Sequence, residues 1–148
     1  MNEFAEEYKA ATQELLRVFG ALSESNLDKP TPSGWTPRQV IHHLADSEAQ
    51  SYARLRRLIA EPGTIIQGYD EEVWAENSIL AYKTRDVTSA LQVYTVVRNS
   101  SYELLLDIPE SELDNSCMHS ESGEYSIRKW IDTYTRHPRD HANQILGI

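Results

Sequence analysis

Apolar residues recur at steps of three and four along four long stretches of the chain, the spacing of one face of an α-helix. Loops rich in Ser, Asp, Asn, Gly and Pro separate these stretches. The pattern therefore predicts four amphipathic helices. They are Asn2 to about Leu22, Thr36 to the break at Glu61-Pro62-Gly63, Arg85 to Asp107, and a last helix capped by Ser126.

The second helix has the strongest start signals in the chain. Thr36 and Gln39 have the spacing of a capping box, in which each side chain accepts a hydrogen bond from the other residue's backbone amide. Pro37 falls at the first helical position, where its missing N–H costs nothing. Trp35 and Val40 are spaced to form a hydrophobic staple. These signals fix the start of the helix, and with it the rotation of every residue that follows.

The stretch from Thr64 to Lys83 is less regular, and it predicts a long crossover between the second and third helices. Asp70 is placed to cap a short helix within this crossover. That helix would carry Val73, Trp74 and Leu80.

The region before the last helix is the one place where strands are plausible. Residues 114–125 contain a polar run with Gly123 as a turn residue, which favours a small hairpin or an irregular loop. The elements together predict an all-α fold, a four-helix bundle forming a single domain over residues 1–148. The long crossover is compatible with topologies other than simple up-down-up-down.

The composition narrows the possible partners. The net charge of the 148 residues is −9, which argues against nucleic acid and against an anionic membrane surface, because both require a basic face. Cys117 is the only cysteine, so an intramolecular disulfide is excluded and a reducing compartment is favoured. The N-terminal residues lack the apolar segment of a signal peptide, and we expect a cytoplasmic location.

Candidate chemistry is concentrated in histidines. His137 and His141 are four residues apart on the last helix, on or beside its apolar stripe, and this spacing can hold a metal on one helix face. The alternative is a pair of core histidines that hydrogen bond to carbonyl or hydroxyl groups. Pro138 lies between them and removes one helical hydrogen bond, so the pair can also straddle a kink.

A third metal-binding residue would most simply come from the second helix, where periodicity does not choose between His42 and His43. Asp46 and Glu48 follow closely, and either can orient an imidazole or act as a general base. The alternative for both is an ordinary solvated or interhelical carboxylate. Cys117 with His119 is a weaker candidate metal site, which we interpret as incidental.

Three segments carry a family resemblance: GWTPRQVIHHLADSE from residue 34, SYARLRRLIAEPGTIIQGYDEEVWAE after it, and RHPRDHANQI near the C-terminus. They resemble the DinB-like superfamily, most closely its YfiT-like branch of metal-dependent hydrolases and bacillithiol S-transferases. The resemblance implies a four-helix bundle in which His43, His137 and His141 hold one divalent metal. Asp140 departs from the close relatives, which tend to have a further histidine there.

The same resemblance implies a metal-dependent enzyme acting on a small molecule. Three imidazoles leave an open coordination position, where a metal-bound thiolate can attack an electrophile or a metal-bound hydroxide can hydrolyse a substrate. Zinc and nickel are the expected metals, a low-molecular-weight thiol is a possible substrate, and a homodimer is expected by analogy. The alternative is a metal-binding or dimerising bundle without catalytic activity.

Overall fold

The computed structural model describes residues 2–148. Its long helices are α1 (Glu3–Gly20), α2 (Pro37–Ala60), α4 (Thr88–Asp107) and α5 (Ile127–Leu146), and the short helix α3 (Glu71–Glu76) lies in the crossover. Single 3₁₀ turns occur at Glu24–Asn26 and Glu110–Glu112. The strands are β1 (Ile65–Ile66), β2 (Ser116–His119) and β3 (Gly123–Ser126). The predicted four-helix bundle is confirmed.

The order of the helices around the bundle departs from simple up-down-up-down. α1 packs against α5 and α4, and α2 packs against α4 and α5. The consecutive helices α1 and α2 are therefore diagonal partners, and α2 lies beside the last helix. This arrangement brings together two segments that are almost a hundred residues apart in sequence.

The start of α2 is as predicted. The Thr36 hydroxyl oxygen accepts from the backbone amide of Gln39 at 3.2 Å, and the Gln39 side-chain oxygen accepts from the amide of Thr36 at 3.0 Å. Pro37 is the first helical residue. Trp35 packs on the apolar cluster that contains Val40. Because the cap fixes this helix end, the rotation of the following turns is also set.

A three-stranded sheet closes one end of the bundle. The hairpin of β2 and β3 realises one of the two alternatives left open by the sequence, and it pairs Cys117 with Tyr125. β1 adds to it in parallel, with Ile65 opposite Met118. A strand of two residues is too short to produce a periodic pattern, so β1 had no signal in the sequence.

Two predicted boundaries in the crossover region were wrong. Leu80 does not belong to the short helix, because the Asn77 side chain accepts from the amides of Ile79 and Leu80 and ends the helical path. The third long helix begins at Thr88 rather than Arg85, because the Asp86 carboxylate accepts a hydrogen bond from the backbone amide of Thr88. Asp70 does cap α3, accepting from two amides of its first turn. No helix within residues 2–148 has the length and apolarity needed to cross a membrane.

Candidate metal centre

Three imidazoles converge where α2 lies beside α5. The Nε2 atom of His137 is 3.1 Å from Nε2 of His43 and 3.0 Å from Nε2 of His141. One donor nitrogen from each ring lies within 4.8 Å of the other two. His43 is buried, whereas His137 and His141 keep partial contact with solvent. Solvent can therefore reach the cluster at His137 and His141, although the cluster lies between α2 and α5.

Pro138 does not separate the α5 pair. The helix runs without interruption from Ile127 to Leu146, and Pro138 is buried within it. His137 and His141 remain one turn apart, with ring centroids separated by 4.6 Å. α5 therefore accommodates the proline without a break between the two histidines.

His42 is directed to a different neighbour. Its Nε2 atom lies 3.1 Å from the backbone carbonyl oxygen of Arg85, which can only accept, so this nitrogen is the donor. The ring stacks on Tyr82 with centroids 5.6 Å apart. Of the two adjacent histidines, the structure places only His43 in the cluster.

Burial keeps the three imidazoles neutral. It is the largest influence on His43, whose pKa falls to about 3 from an ordinary 6.5, with His141 adding a smaller effect. Burial also lowers the pKa of His137 well below its usual value, and neighbouring His141 and His43 lower it further. The pKa of His141 is lowered by burial and partly restored by Gln144. At neutral pH the cluster therefore presents unprotonated rings, the form that binds metals.

Gln144 fixes the tautomer of His141. The Nδ1 atom of His141 lies 2.6 Å from the side-chain oxygen of Gln144, so Nδ1 carries the proton and Nε2 presents a lone pair. The amide nitrogen of Gln144 donates in turn to the hydroxyl of Ser33. Sequence reasoning missed this residue, although its position one turn after His141 was a usable signal.

The spacing of the three nitrogens fits a shared cation better than hydrogen bonds. A ring nitrogen carries either a proton or a lone pair, so Nε2 of His137 cannot hydrogen bond well to both neighbours at once. Two nitrogens bound at about 2.0–2.1 Å to one metal lie about 2.9–3.4 Å apart. The observed 3.0 and 3.1 Å fall within this range. The donor set therefore fits a transition metal.

Glu48 and Asp46, the carboxylates proposed from the sequence, have other partners. Glu48 is fully buried and accepts from Arg98 Nη1 at 2.9 Å and from the Ser51 hydroxyl at 2.6 Å. Asp46 accepts a short hydrogen bond from the hydroxyl of Tyr82. Both carboxylates are thus occupied by contacts within the protein.

Glu71 is the carboxylate that faces the cluster. One of its oxygens lies 4.0 Å from Nε2 of His43. Burial is the main cause of its raised pKa, Arg54 opposes this rise, and Glu121 adds to it. No sequence signal pointed to Glu71, because this residue belongs to the short helix of an irregular crossover, and periodicity cannot predict the path of such a segment.

Cys117 and His119 lie in the sheet and serve local structure. Cys117 is buried, with its sulfur 3.7 Å from the carbonyl oxygen of Glu61. Nδ1 of His119 accepts from the backbone amide of Glu121 at 3.2 Å. Neither side chain belongs to the histidine cluster.

The structure defines a four-helix bundle with a candidate metal centre of three histidines between two of its helices. Comparisons with known proteins agree with this class. The chain belongs to the DinB superfamily, whose family model matches residues 7–145. This confirms the resemblance seen in the sequence.

Individual relatives are similar along the whole chain. A "putative metal-dependent hydrolase" of Oceanobacillus iheyensis is 34% identical, with 100% of this chain and 85% of that protein covered. A protein of the same description from Bacillus mycoides is 31% identical, covering 100% and 84%. Among solved structures, YfiT from Bacillus subtilis superposes with a TM-score of 0.86 at 26% identity, over 97% of this chain and 82% of that one. It is described as a "probable metal-dependent hydrolase with an unusual four-helix bundle topology".

Proposed function

We propose that the protein is a metal-dependent hydrolase of a small molecule, with one divalent metal held by His43, His137 and His141. The observation that carries the proposal is the convergence of three neutral imidazoles, with Nε2 of His43 and Nε2 of His141 at 3.1 and 3.0 Å from Nε2 of His137. Three protein ligands leave an open position, which is typical of catalytic rather than structural metal sites. Imidazole suits zinc and nickel, and these are the metals we propose.

The bound metal would supply a Lewis acid that makes water a nucleophile near neutral pH. The residues around it would provide orientation and proton transfer. Gln144 holds the His141 ring with its Nε2 lone pair directed at the centre. Glu71 is positioned to accept the proton of a nucleophile, because its carboxylate faces His43 and its raised pKa lies closer to the working range of a general base.

Metal content is the first test. We expect about one zinc or nickel ion per chain for the wild type, and a loss of affinity of at least about 100-fold for His141→Ala, since a ligand is removed. His42→Ala is the matched control, because His42 is an adjacent histidine directed at Arg85 instead. A wild type that takes up no divalent metal, or equal losses in the two variants, would contradict the proposed site.

Turnover is the second test. The zinc- or nickel-loaded protein should hydrolyse members of a panel of small esters and amides, and Glu71→Gln should lower kcat by about 10²–10⁴ with little change in metal affinity. Glu72→Gln, in the same short helix, is the control. Thiol transfer without hydrolysis would replace the hydrolase by an S-transferase. Metal binding without either activity would favour a non-catalytic role.

A further inference from the structure

Pro138 leaves one backbone carbonyl of α5 without its helical donor. A proline has no N–H, so the hydrogen bond from residue 138 to the carbonyl of Tyr134 cannot form. Tyr134 is buried, and a buried carbonyl without a donor is destabilising. This defect lies in the turn from which His137 and His141 project.

Arg98 of α4 supplies the missing donor. Its Nη1 atom donates to the Tyr134 carbonyl oxygen at 2.7 Å. The side chain is fully buried, which is costly for a guanidinium unless its charge and its N–H groups are all matched. Nε donates to the Thr12 hydroxyl at 2.7 Å and Nη2 to the carbonyl of Tyr8 at 2.9 Å, both on α1.

The same nitrogen also joins α5 to α2. Nη1 of Arg98 donates to the carboxylate of Glu48 at 2.9 Å, and Glu48 follows His43 by little more than one helical turn. A single nitrogen therefore contacts both helices that carry the histidine cluster.

We infer that Arg98 is a positioning residue for the metal centre: its guanidinium replaces the amide that Pro138 lacks and, through Glu48, fixes the α5 histidines relative to His43. The consequence for metal affinity rests on the proposed function. The hydrogen bond that Arg98 donates in place of the missing backbone amide does not rest on the proposed function, because both groups belong to the protein and no metal is involved.

Paired substitutions test the inference. Arg98→Met with Glu48→Leu removes both buried charges together, and we expect zinc affinity, measured by chelator competition, to fall about 10–100-fold. Adding Pro138→Ala restores an N–H at position 138, so the share of the affinity lost at the Tyr134 carbonyl should return, while the share that depends on the link to Glu48 should not. Pro138→Ala alone should change affinity by less than about twofold. Thr12→Val removes the Nε contact and the hydrogen bond from the Thr12 hydroxyl to the Tyr8 carbonyl, but it keeps both Nη1 contacts. It should therefore lower stability but leave affinity unchanged.

Two results would overturn the inference. The first is that the Arg98→Met, Glu48→Leu variant loses the same affinity whether residue 138 is proline or alanine. The second is that Thr12→Val loses as much affinity as this double variant. Arg98→Lys, which keeps a charge opposite Glu48, provides the same comparison if the double variant does not fold.

Urea unfolding in chelator repeats the cycle without metal. If the wild type binds no zinc, the proposed function fails, while this arm still decides whether Arg98 and Pro138 are coupled. If urea unfolding in chelator shows no coupling between Arg98 and Pro138 while zinc binds normally, the role of Arg98 is rejected and the proposed metal centre is not.

Discussion

At the scale of single residues, the cluster depends on which ring nitrogen of each histidine carries its proton. Only His141 has a side-chain partner on its second nitrogen, the oxygen of Gln144. The Nδ1 atoms of His43 and His137 are buried without a hydrogen-bond partner among residues 2–148. His141 is therefore the best oriented of the three imidazoles, and Gln144 is the residue through which its orientation can be changed.

Replacing Gln144 with Leu should weaken zinc binding by about 10–100-fold, because the His141 ring loses the acceptor that fixes its tautomer. Competition with a chromophoric chelator measures the change. Gln144→Glu keeps an acceptor at the same position and should retain most of the affinity. An unchanged affinity in the Leu variant would show that the partner does not orient the ring.

Ala81 is the one non-glycine residue with positive φ in the chain from residue 2 onward, at 52°. This left-handed conformation costs an L-residue about 1–2 kcal/mol, and glycine avoids that cost while losing some entropy. Ala81→Gly should therefore stabilise the fold by roughly 0.5–1 kcal/mol in urea unfolding. Ala60→Gly, at a right-handed helical position, should instead destabilise it. Destabilisation by both substitutions would contradict the strain at residue 81.

At the scale of elements, the long helices were predictable and their connections were not. α2 was predictable because its capping box is local and its apolar period extends over many turns. The end of α3 and the start of α4 were missed because single side chains, Asn77 and Asp86, decide them. The contacts of Arg98 and the position of Glu71 depend on which helices become neighbours, and no local pattern encodes that.

The Thr36 cap should contribute measurably to stability. Thr36→Ala removes the oxygen that accepts from Gln39, and we expect a loss of about 1 kcal/mol in the free energy of unfolding. Thr36→Ser keeps the oxygen and should lose much less. If serine and alanine are equally destabilising, the loss comes from the methyl group's packing and not from the cap.

At the scale of the whole molecule, the histidine cluster lies between two helices that meet only because α1 and α2 are diagonal. The family resemblance selected His43, His137 and His141, which the structure brings together, while the periodicity of the sequence left His42 and His43 equal. The bundle order resolves this, since α2 turns His43 toward α5 and His42 toward the segment before α4. Neither orientation can be derived without knowing the neighbours of α2.

The metal-free protein should lose stability in mild acid. The pKa of His43 is about 3 when folded against 6.5 when exposed, so the unfolded chain binds more protons between these values. The contribution of neutral His43 to the free energy of unfolding is complete above pH 6.5 and decreases as pH falls. The loss reaches about 2 kcal/mol at pH 5. Urea unfolding in chelator at pH 7 and pH 5 measures this. His43→Gln should show a smaller difference, and an unchanged difference would exclude His43 as the cause.

The chemistry of the cluster has a consequence under oxidative stress. All three donors are imidazole nitrogens, and the lone thiol, Cys117, is buried in the sheet apart from them. Peroxide and electrophiles destroy metal sites chiefly by attacking thiolates, which this donor set does not contain. A metal bound by these three histidines should therefore be retained in conditions that empty cysteine-ligated sites.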